Sequence, residues 1–180
     1  MVNQTEYVDS LRERMHKSFE EGYYFESIVC SYAIIENRTQ KICDHIGINC
    51  NLRESLDAKT KYIYNEVKDL NTQTDRNIRK ILAFLKYHLE KQKLLKVDTS
   101  KSYKDICDDL KNDFTLEESN KLIVFRKQRN ELTHKLYNYD SSNPKLLDVN
   151  EYKPLAEMGR DIAVSICRLA SNIKSKYIVI

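Results

Sequence analysis

The chain has 180 residues and a net charge of only +3, although 32% of its residues are charged. This balance is typical of a solvated surface. The chain lacks the strong basic excess of many nucleic-acid binders, although a local basic patch remains compatible with its composition. Three glycines and two prolines are present, and so few helix breakers favour long helices. We therefore predict one all-α domain over residues 1–180.

Five cysteines are present, and no pair of them has the spacing of a metal site or a redox motif. Their odd number and the polar N-terminal residues 1–10 indicate a reducing cytoplasm. No apolar run approaches the length of a membrane span, so we expect no membrane as partner. Cys30, Cys43 and Cys167 lie in helical apolar patterns and are predicted to be buried thiols.

Apolar residues spaced three and four apart predict a series of amphipathic helices. The predicted helices cover approximately residues 5–21, 23–46, 53–70, 75–96, 103–112, 115–137 and 152–176. Gly22 and Gly47 mark two helix ends, Thr115 with Glu118 forms a capping-box pattern, and residues 138–150 are rich in turn formers. The apolar stripe of the last helix consists of Leu155, Gly159, Ile162, Ile166, Leu169 and Ile173. The fold class is all-α, an up-and-down bundle of four to five helices with extra short helices.

A charged residue interrupts the apolar stripe of the predicted helix 115–137. The stripe consists of Leu122, Phe125, Leu132 and Leu136, and Arg129 occupies the position between its two halves. An unpaired buried charge costs several kcal/mol, so Arg129 requires a carboxylate, a phosphate ligand or a wet cleft.

Glu36 interrupts the stripe of the predicted helix 23–46 in the same way. That stripe consists of Phe25, Val29, Tyr32, Thr39 and Cys43. We predict that Glu36 accepts hydrogen bonds from the guanidinium of Arg129 and orients it. The alternative is a buried ion pair that only fixes the register of two helices.

Further polar residues lie close to Arg129 on the same helix. Asn130 and His134 are four residues apart and share a face, and Arg126 and Tyr137 extend that strip at its two ends. At about 100° per residue, Arg129 and His134 point about 140° apart. Convergence of both side chains on one phosphate therefore favours a second copy of the helix across a symmetric interface.

These residue types suit the cleavage of RNA without a metal ion. A histidine can take the proton of a ribose 2′-hydroxyl. An arginine binds phosphate through two hydrogen bonds and stabilises charge in the transition state, and an asparagine can donate to and accept from a neighbour. The candidate catalytic residues are Arg129, Asn130 and His134, with Glu36, Arg126 and Tyr137 in support.

Residues 129–134 read RNELTH and resemble the motif of the HEPN superfamily, an Arg followed by a polar residue and, after four to six intervening residues, a His. Residues 31–37 resemble the early helix of that family, in which Glu ends an apolar run. The resemblance implies a HEPN-like bundle of four or five helices and a homodimer whose two motifs share one cleft. It also implies ribonuclease activity without metal or other cofactor, in a toxin or abortive-infection effector that works with an antitoxin or defence-system protein.

Two other classes of function remain open at this point. The chain can be a non-catalytic helical module that binds RNA or nucleotide, or a regulatory partner of a toxin. The scattered His16, His45 and His88 lack ligand partners at helical spacing and are interpreted as surface or helix-end residues. The basic run that begins with Arg76 and Arg79 is interpreted as a solvated helix face.

Overall fold

The computed structural model describes residues 4–112, 119–137 and 148–178, and every regular element in these ranges is helical. The α-helices of these ranges are α1 (Gln4–Glu20), α2 (Tyr24–His45), α3 (Leu56–Lys68), α4 (Arg76–Lys91), α5 (Tyr103–Asn112), α6 (Lys121–Tyr137) and α7 (Lys153–Tyr177). A 3₁₀ turn, Val149–Tyr152, leads into α7. The predicted all-α fold class is confirmed for these residues.

Several helices are followed by a residue with a left-handed backbone conformation. Gly22 and Gly47 have φ angles of 81° and 78° and follow α1 and α2, as predicted, because glycine adopts this conformation without steric cost. The prediction that the fourth helix reaches residue 96 is wrong. Lys93 has a φ of 56°, and the amide of Leu94 donates to the carbonyl of Leu89 at 2.8 Å. This arrangement is a Schellman motif with lysine in the usual place of glycine, and it stops α4 at Lys91.

Helix α2 lies at the centre of the fold and packs against α1, α3 and α7, while α6 packs against α7. The apolar stripe predicted for the last helix is buried along its whole length. The stripe predicted for α2 is partly wrong, because Phe25 and Val29 are 43% and 44% exposed. The buried side of α2 instead carries Ile28, Ile34 and Ile35. An exposed apolar face therefore remains on the first half of α2.

Gly159 allows helices α2, α6 and α7 to meet closely. A Cβ atom at this position would lie 2.6 Å from Cε2 of Phe125 and 3.1 Å from Cβ of Ser31. Phe125 is fully buried, so its ring occupies the space that the missing side chain leaves. This contact positions α6 against α7, one helical turn before Arg129.

The cysteine side chains form no disulfide among the described residues. All five cysteines are free thiols; Cys30 and Cys43 are buried, as predicted, whereas Cys167 is only partly buried. Among the described residues, no helix is both long and apolar enough to cross a bilayer.

Candidate functional site

The start of α6 is fixed by the segment that follows α4. The amides of Lys121 and Leu122 donate to the carbonyls of Lys93 and Leu94, both at 3.1 Å. The buried side chain of Asn120 accepts a hydrogen bond from the amide of Lys96 at 3.1 Å. The first orphan amides of the helix are thus satisfied by a distant part of the chain.

The predicted helix start at residue 115 is wrong, because residues 119 and 120 are not helical and α6 begins at Lys121. The capping-box residues Thr115 and Glu118 lie outside the described residues. The helix that carries the motif is therefore about six residues shorter at its N-terminus than the apolar pattern predicts.

Arg126 ties α6 to the neighbouring helices. Its Nη1 atom lies 2.9 Å from Oδ1 of Asp57 in the first turn of α3. Asp57 also accepts a hydrogen bond from the hydroxyl of Tyr103 at 2.7 Å. Burial, and secondarily this bond to Asp57, raises the pKa of Tyr103. The described contact of Arg126 is this structural ion pair with Asp57, while its Nε atom is buried without a hydrogen-bond partner among the described residues. Its predicted support of a phosphate stays a prediction.

Arg129 stacks on an aromatic ring of α2. Its guanidinium carbon lies 4.1 Å from the ring centroid of Tyr32, and its Nη1 atom donates to Oδ1 of Asn130 at 3.1 Å. Burial, followed by the carboxylate of Glu36, raises the pKa of Tyr32, while Arg129 and Arg126 oppose that shift. The ring and the amide hold the guanidinium in place, but neither neutralises its charge.

The predicted ion pair between Glu36 and Arg129 is wrong. Oε1 of Glu36 lies 3.8 Å from Nζ of Lys59 in α3, and Lys59 is only 2% exposed. The same ammonium donates to the carbonyl of Leu52 at 3.3 Å. Within the described residues, Arg129 has no carboxylate partner. Glu36 therefore compensates a buried lysine and leaves the arginine available.

Lys59 shows the same sequence signal as Arg129, a charged residue within an apolar stripe. It lies in the apolar stripe of α3, three residues after Leu56 and four before Ile63, both of which are buried. Three helices thus carry a charge in an apolar stripe, and charge alone does not say which two of the three form the pair. Tyr32 gave no comparable signal, because an aromatic residue in an apolar stripe is ordinary core composition.

His134 lies in the last turn of α6 and is exposed. Thr133, beside it, donates its hydroxyl to the carbonyl of Arg129 at 2.9 Å and is thereby engaged in the helix. Tyr137 is the last residue of α6, but its side chain lies outside the described residues, as does the turn-rich stretch 138–147. The structure brings Arg129, Asn130 and Tyr32 together and leaves the imidazole of His134 open to solvent.

The described residues contain no group of three or more His, Cys, Asp or Glu side chains placed to hold a metal ion. The other three histidines, His16, His45 and His88, have lowered pKa values, and burial is the largest cause for each. Neighbouring cations are the next cause for His16 and His88.

This chain matches no protein-family model, no curated protein and no solved structure. The resemblance to the HEPN superfamily therefore depends on residues 129–134 of α6 and residues 31–37 of α2.

Proposed function

We propose that this protein is a metal-independent RNA endonuclease of the HEPN type. The observation that carries the proposal is the state of Arg129. Its guanidinium is held by Tyr32 and Asn130, and among the described residues no carboxylate neutralises it. An arginine that is positioned but not neutralised is suited to bind a phosphate through two hydrogen bonds. Five positions further along, the exposed His134 supplies a base on the same helix.

The proposed reaction uses the 2′-hydroxyl of the substrate as the nucleophile. His134 accepts the proton of that hydroxyl, and the 2′-oxygen attacks the adjacent phosphorus. The bond from phosphorus to the 5′-oxygen breaks, the leaving oxygen takes a proton from water, and a 2′,3′-cyclic phosphate remains. His134 then returns its proton to the solvent. Arg129 stabilises the charge of the phosphorane-like transition state, and Asn130 orients Arg129. DNA lacks the hydroxyl and would not be cut in this way.

The proposed active form is a homodimer with a composite site. Arg129 and His134 point about 140° apart on α6, so the two groups of one chain converge poorly on a single phosphate. The exposed Phe25 and Val29 lie on the same face of α2 as Tyr32, one and two turns before it. This apolar face continues to the site, and a second copy docked on it would cover both.

The biological role that we propose is that of a toxin or an abortive-infection or defence effector in the cytoplasm, controlled by an antitoxin or defence-system protein. RNA cleavage without a cofactor suits this role, because such an enzyme acts as soon as its inhibitor is removed. The second candidate function is a non-catalytic RNA- or nucleotide-binding module or a regulatory partner. It is favoured by the structural contacts of two of the predicted supporting residues, since Glu36 pairs with Lys59 and Arg126 with Asp57.

The test is incubation of the purified protein with total RNA in EDTA. We expect cleavage by the wild type, and loss of cleavage in both Arg129→Ala and His134→Ala. Arg79→Ala and His88→Ala are matched controls on α4 and should cleave as the wild type does. Cleavage that requires a divalent metal, or that survives both motif substitutions, would overturn the proposed mechanism. RNA binding without cleavage in the wild type would favour the non-catalytic module.

A further inference from the structure

Two open cavities of about 370 and 190 Å³ lie next to each other, away from the motif on α6. The larger is lined by α1 and α7 and the smaller by α1, α2 and α7, and they share Ser171 of α7, so we treat them as one groove. Arg38 of this groove lies six residues after Tyr32 in α2, which places it about 120° around the helix axis. The groove and the stack of Arg129 on Tyr32 therefore lie on different sides of α2.

The charged residues of the groove are cationic. Among the described residues, its lining includes Arg12, Arg38, Lys41, Arg168 and Lys174, together with His45. Arg12 lies 3.4 Å from a carboxylate oxygen of Asp9, and Lys41 lies 3.3 Å from one of Asp44. Within the described part of the chain, Arg38 and Arg168 form no ion pair with a carboxylate; Arg38 instead forms a hydrogen bond with the thiol of Cys167. Two arginines without counter-ions thus face a groove that is large enough for phosphate groups.

The helix dipoles do not account for this concentration of charge. Lys174 lies in the last turn of α7, where a cation is favoured by the carbonyl end of the helix. Arg38 and Arg168 lie further back, and the influence of a helix end declines within one turn. The helix ends therefore do not supply a counter-ion to these two arginines, and a bound anion would do so.

The lining favours a phosphate backbone over a nucleobase. Among the described residues, no Phe or Tyr lines either cavity, whereas sites that hold bases of single strands use aromatic rings as stacking platforms. The cations repeat along the groove, since Arg168 and Lys174 are separated by about 9 Å along α7. A ligand with successive phosphates matches this repetition better than a single anion does.

We propose that this groove binds the sugar-phosphate backbone of RNA, without regard to sequence, and anchors the strand away from the site on α6. The choice of RNA as the polyanion rests on the proposed function. The binding itself does not, because phosphate contacts are made in the same way whether or not the strand is cut.

The experiment measures the binding of a labelled strand of about 20 uridylates, and of the matching thymidylate DNA, against salt concentration. The protein carries His134→Ala, so that the RNA is not consumed. The test variant is Arg38→Gln with Arg168→Gln. The matched control is Arg79→Gln with Lys80→Gln, two exposed cations of α4. Each pair removes two positive charges.

We expect the test variant to bind both strands about tenfold more weakly near 0.15 M salt, with a salt slope lower by about 1.4, because single strands contribute about 0.7 per lost phosphate contact. The control should match the parent. Equal weakening in both variants, or no measurable binding by the parent, would overturn the proposal. Cleavage is assayed separately with His134 in place. A groove that binds in a chain that does not cleave contradicts only the proposed function, and cleavage without groove-dependent binding contradicts only this inference.

Discussion

At the level of single residues, the support of Arg129 by an aromatic ring has consequences for the proposed chemistry. A carboxylate partner would position the guanidinium but also offset the charge that a phosphate requires. The ring of Tyr32, 4.1 Å away, attracts the cation through its π face and leaves the outer N–H donors available. The hydrogen bond to Asn130 then restricts rotation of the guanidinium plane. In the proposed reaction, Tyr32 is accordingly a positioning residue.

The first prediction concerns this ring. Tyr32→Leu should lower the rate of RNA cleavage about two- to fivefold, since a cation–π contact at a partly exposed site contributes about 0.5–1 kcal/mol. Tyr32→Phe keeps the ring and should retain the rate. Single-turnover cleavage with excess enzyme is the measurement, and thermal unfolding monitors the fold. Equal rates for Leu and Phe at position 32 would show that the stack does not position Arg129.

The second prediction concerns the buried pair of Glu36 and Lys59. Glu36→Ala leaves the ammonium of Lys59 in the core with only the carbonyl of Leu52 as a described acceptor. We expect the free energy of unfolding to fall by about 1–3 kcal/mol, because a buried charged donor loses its counter-ion while Glu36 itself is one-third exposed. Urea unfolding measures this change.

The partner of Glu36 can be identified by double-mutant cycles. Adding Lys59→Met to Glu36→Ala should recover most of the lost stability, because methionine fills the same space without a charge. Adding Arg129→Ala instead should give additive changes, within about 0.5 kcal/mol. Strong coupling between positions 36 and 129, with none between 36 and 59, would restore the pairing predicted from sequence.

At the level of helices, the position of α6 depends on contacts at both of its sides. Its first amides bind carbonyls that follow α4, Arg126 binds Asp57 of α3, and Phe125 fills the space above Gly159 of α7. These contacts come from three other helices or their ends. The motif thus lies on a helix that three neighbours hold in place, which suits the precise positioning that the proposed phosphate site requires.

The third prediction tests this packing. Gly159→Ala should lower the free energy of unfolding by about 1 kcal/mol, because the cost of overpacking exceeds the gain in helix propensity. The added Cβ atom would lie 2.6 Å from Cε2 of Phe125, so the ring or the helix must move. Cleavage should fall as well, since Phe125 lies one turn before Arg129. Asp161→Ala, at an exposed position of the same helix, is the control and should change neither quantity.

The stability loss in Gly159→Ala has a specific cause that a second substitution can relieve. Phe125→Leu removes the ring atoms that the new methyl group would meet. Combined with Gly159→Ala, it should cost less than the sum of the two single changes. A fully additive pair, or a Gly159→Ala variant that is more stable than the wild type, would show that α6 and α7 are not in close contact at this point.

The helices were predictable from sequence because their signals are local. Gly22 and Gly47 ended helices where expected, and the α7 stripe was buried as its spacing indicated. The start of α6 and the end of α4 were not predictable, because they depend on hydrogen bonds between distant residues and on a lysine in a conformation that usually indicates glycine. The apolar pattern of α2 predicted that Phe25 and Val29 are buried, which is wrong. The pattern alone does not determine which apolar residues a neighbouring helix covers.

The candidate site was predictable as a set of residues but not as a set of contacts. Periodicity identified Arg129 and Glu36 as charges in apolar stripes, and it could equally have identified Lys59. The choice of partner depends on which helices are neighbours, and α2 packs against α3, which carries Lys59. The side chains of Leu136 and Tyr137 lie outside the described residues, so the predicted role of Tyr137 stays a prediction.

At the level of the whole molecule, the proposal requires two copies of the chain. The exposed apolar residues of α2 and the stack on Tyr32 lie on one continuous side, while the cationic groove lies on another. A dimer through the apolar side would leave both grooves accessible to RNA, one on each copy. This separation of surfaces allows association and strand binding to be disrupted independently, by Val29→Glu and by Arg38→Gln with Arg168→Gln.

The last prediction uses mixed dimers to ask whether the site is shared. Arg129→Ala and His134→Ala are each expected to be inactive. A symmetric dimer has two composite sites, each with Arg129 from one copy and His134 from the other, and in a mixed dimer one of these two sites is intact. Random exchange makes half of the dimers mixed, so mixing should restore about one quarter of wild-type cleavage. Cleavage is measured after exchange at equal concentrations. The same mixture with Val29→Glu in both chains should stay inactive, because a charge on the apolar face opposes association. If light scattering shows mixed dimers that remain inactive, each chain completes its own site and the composite arrangement is wrong.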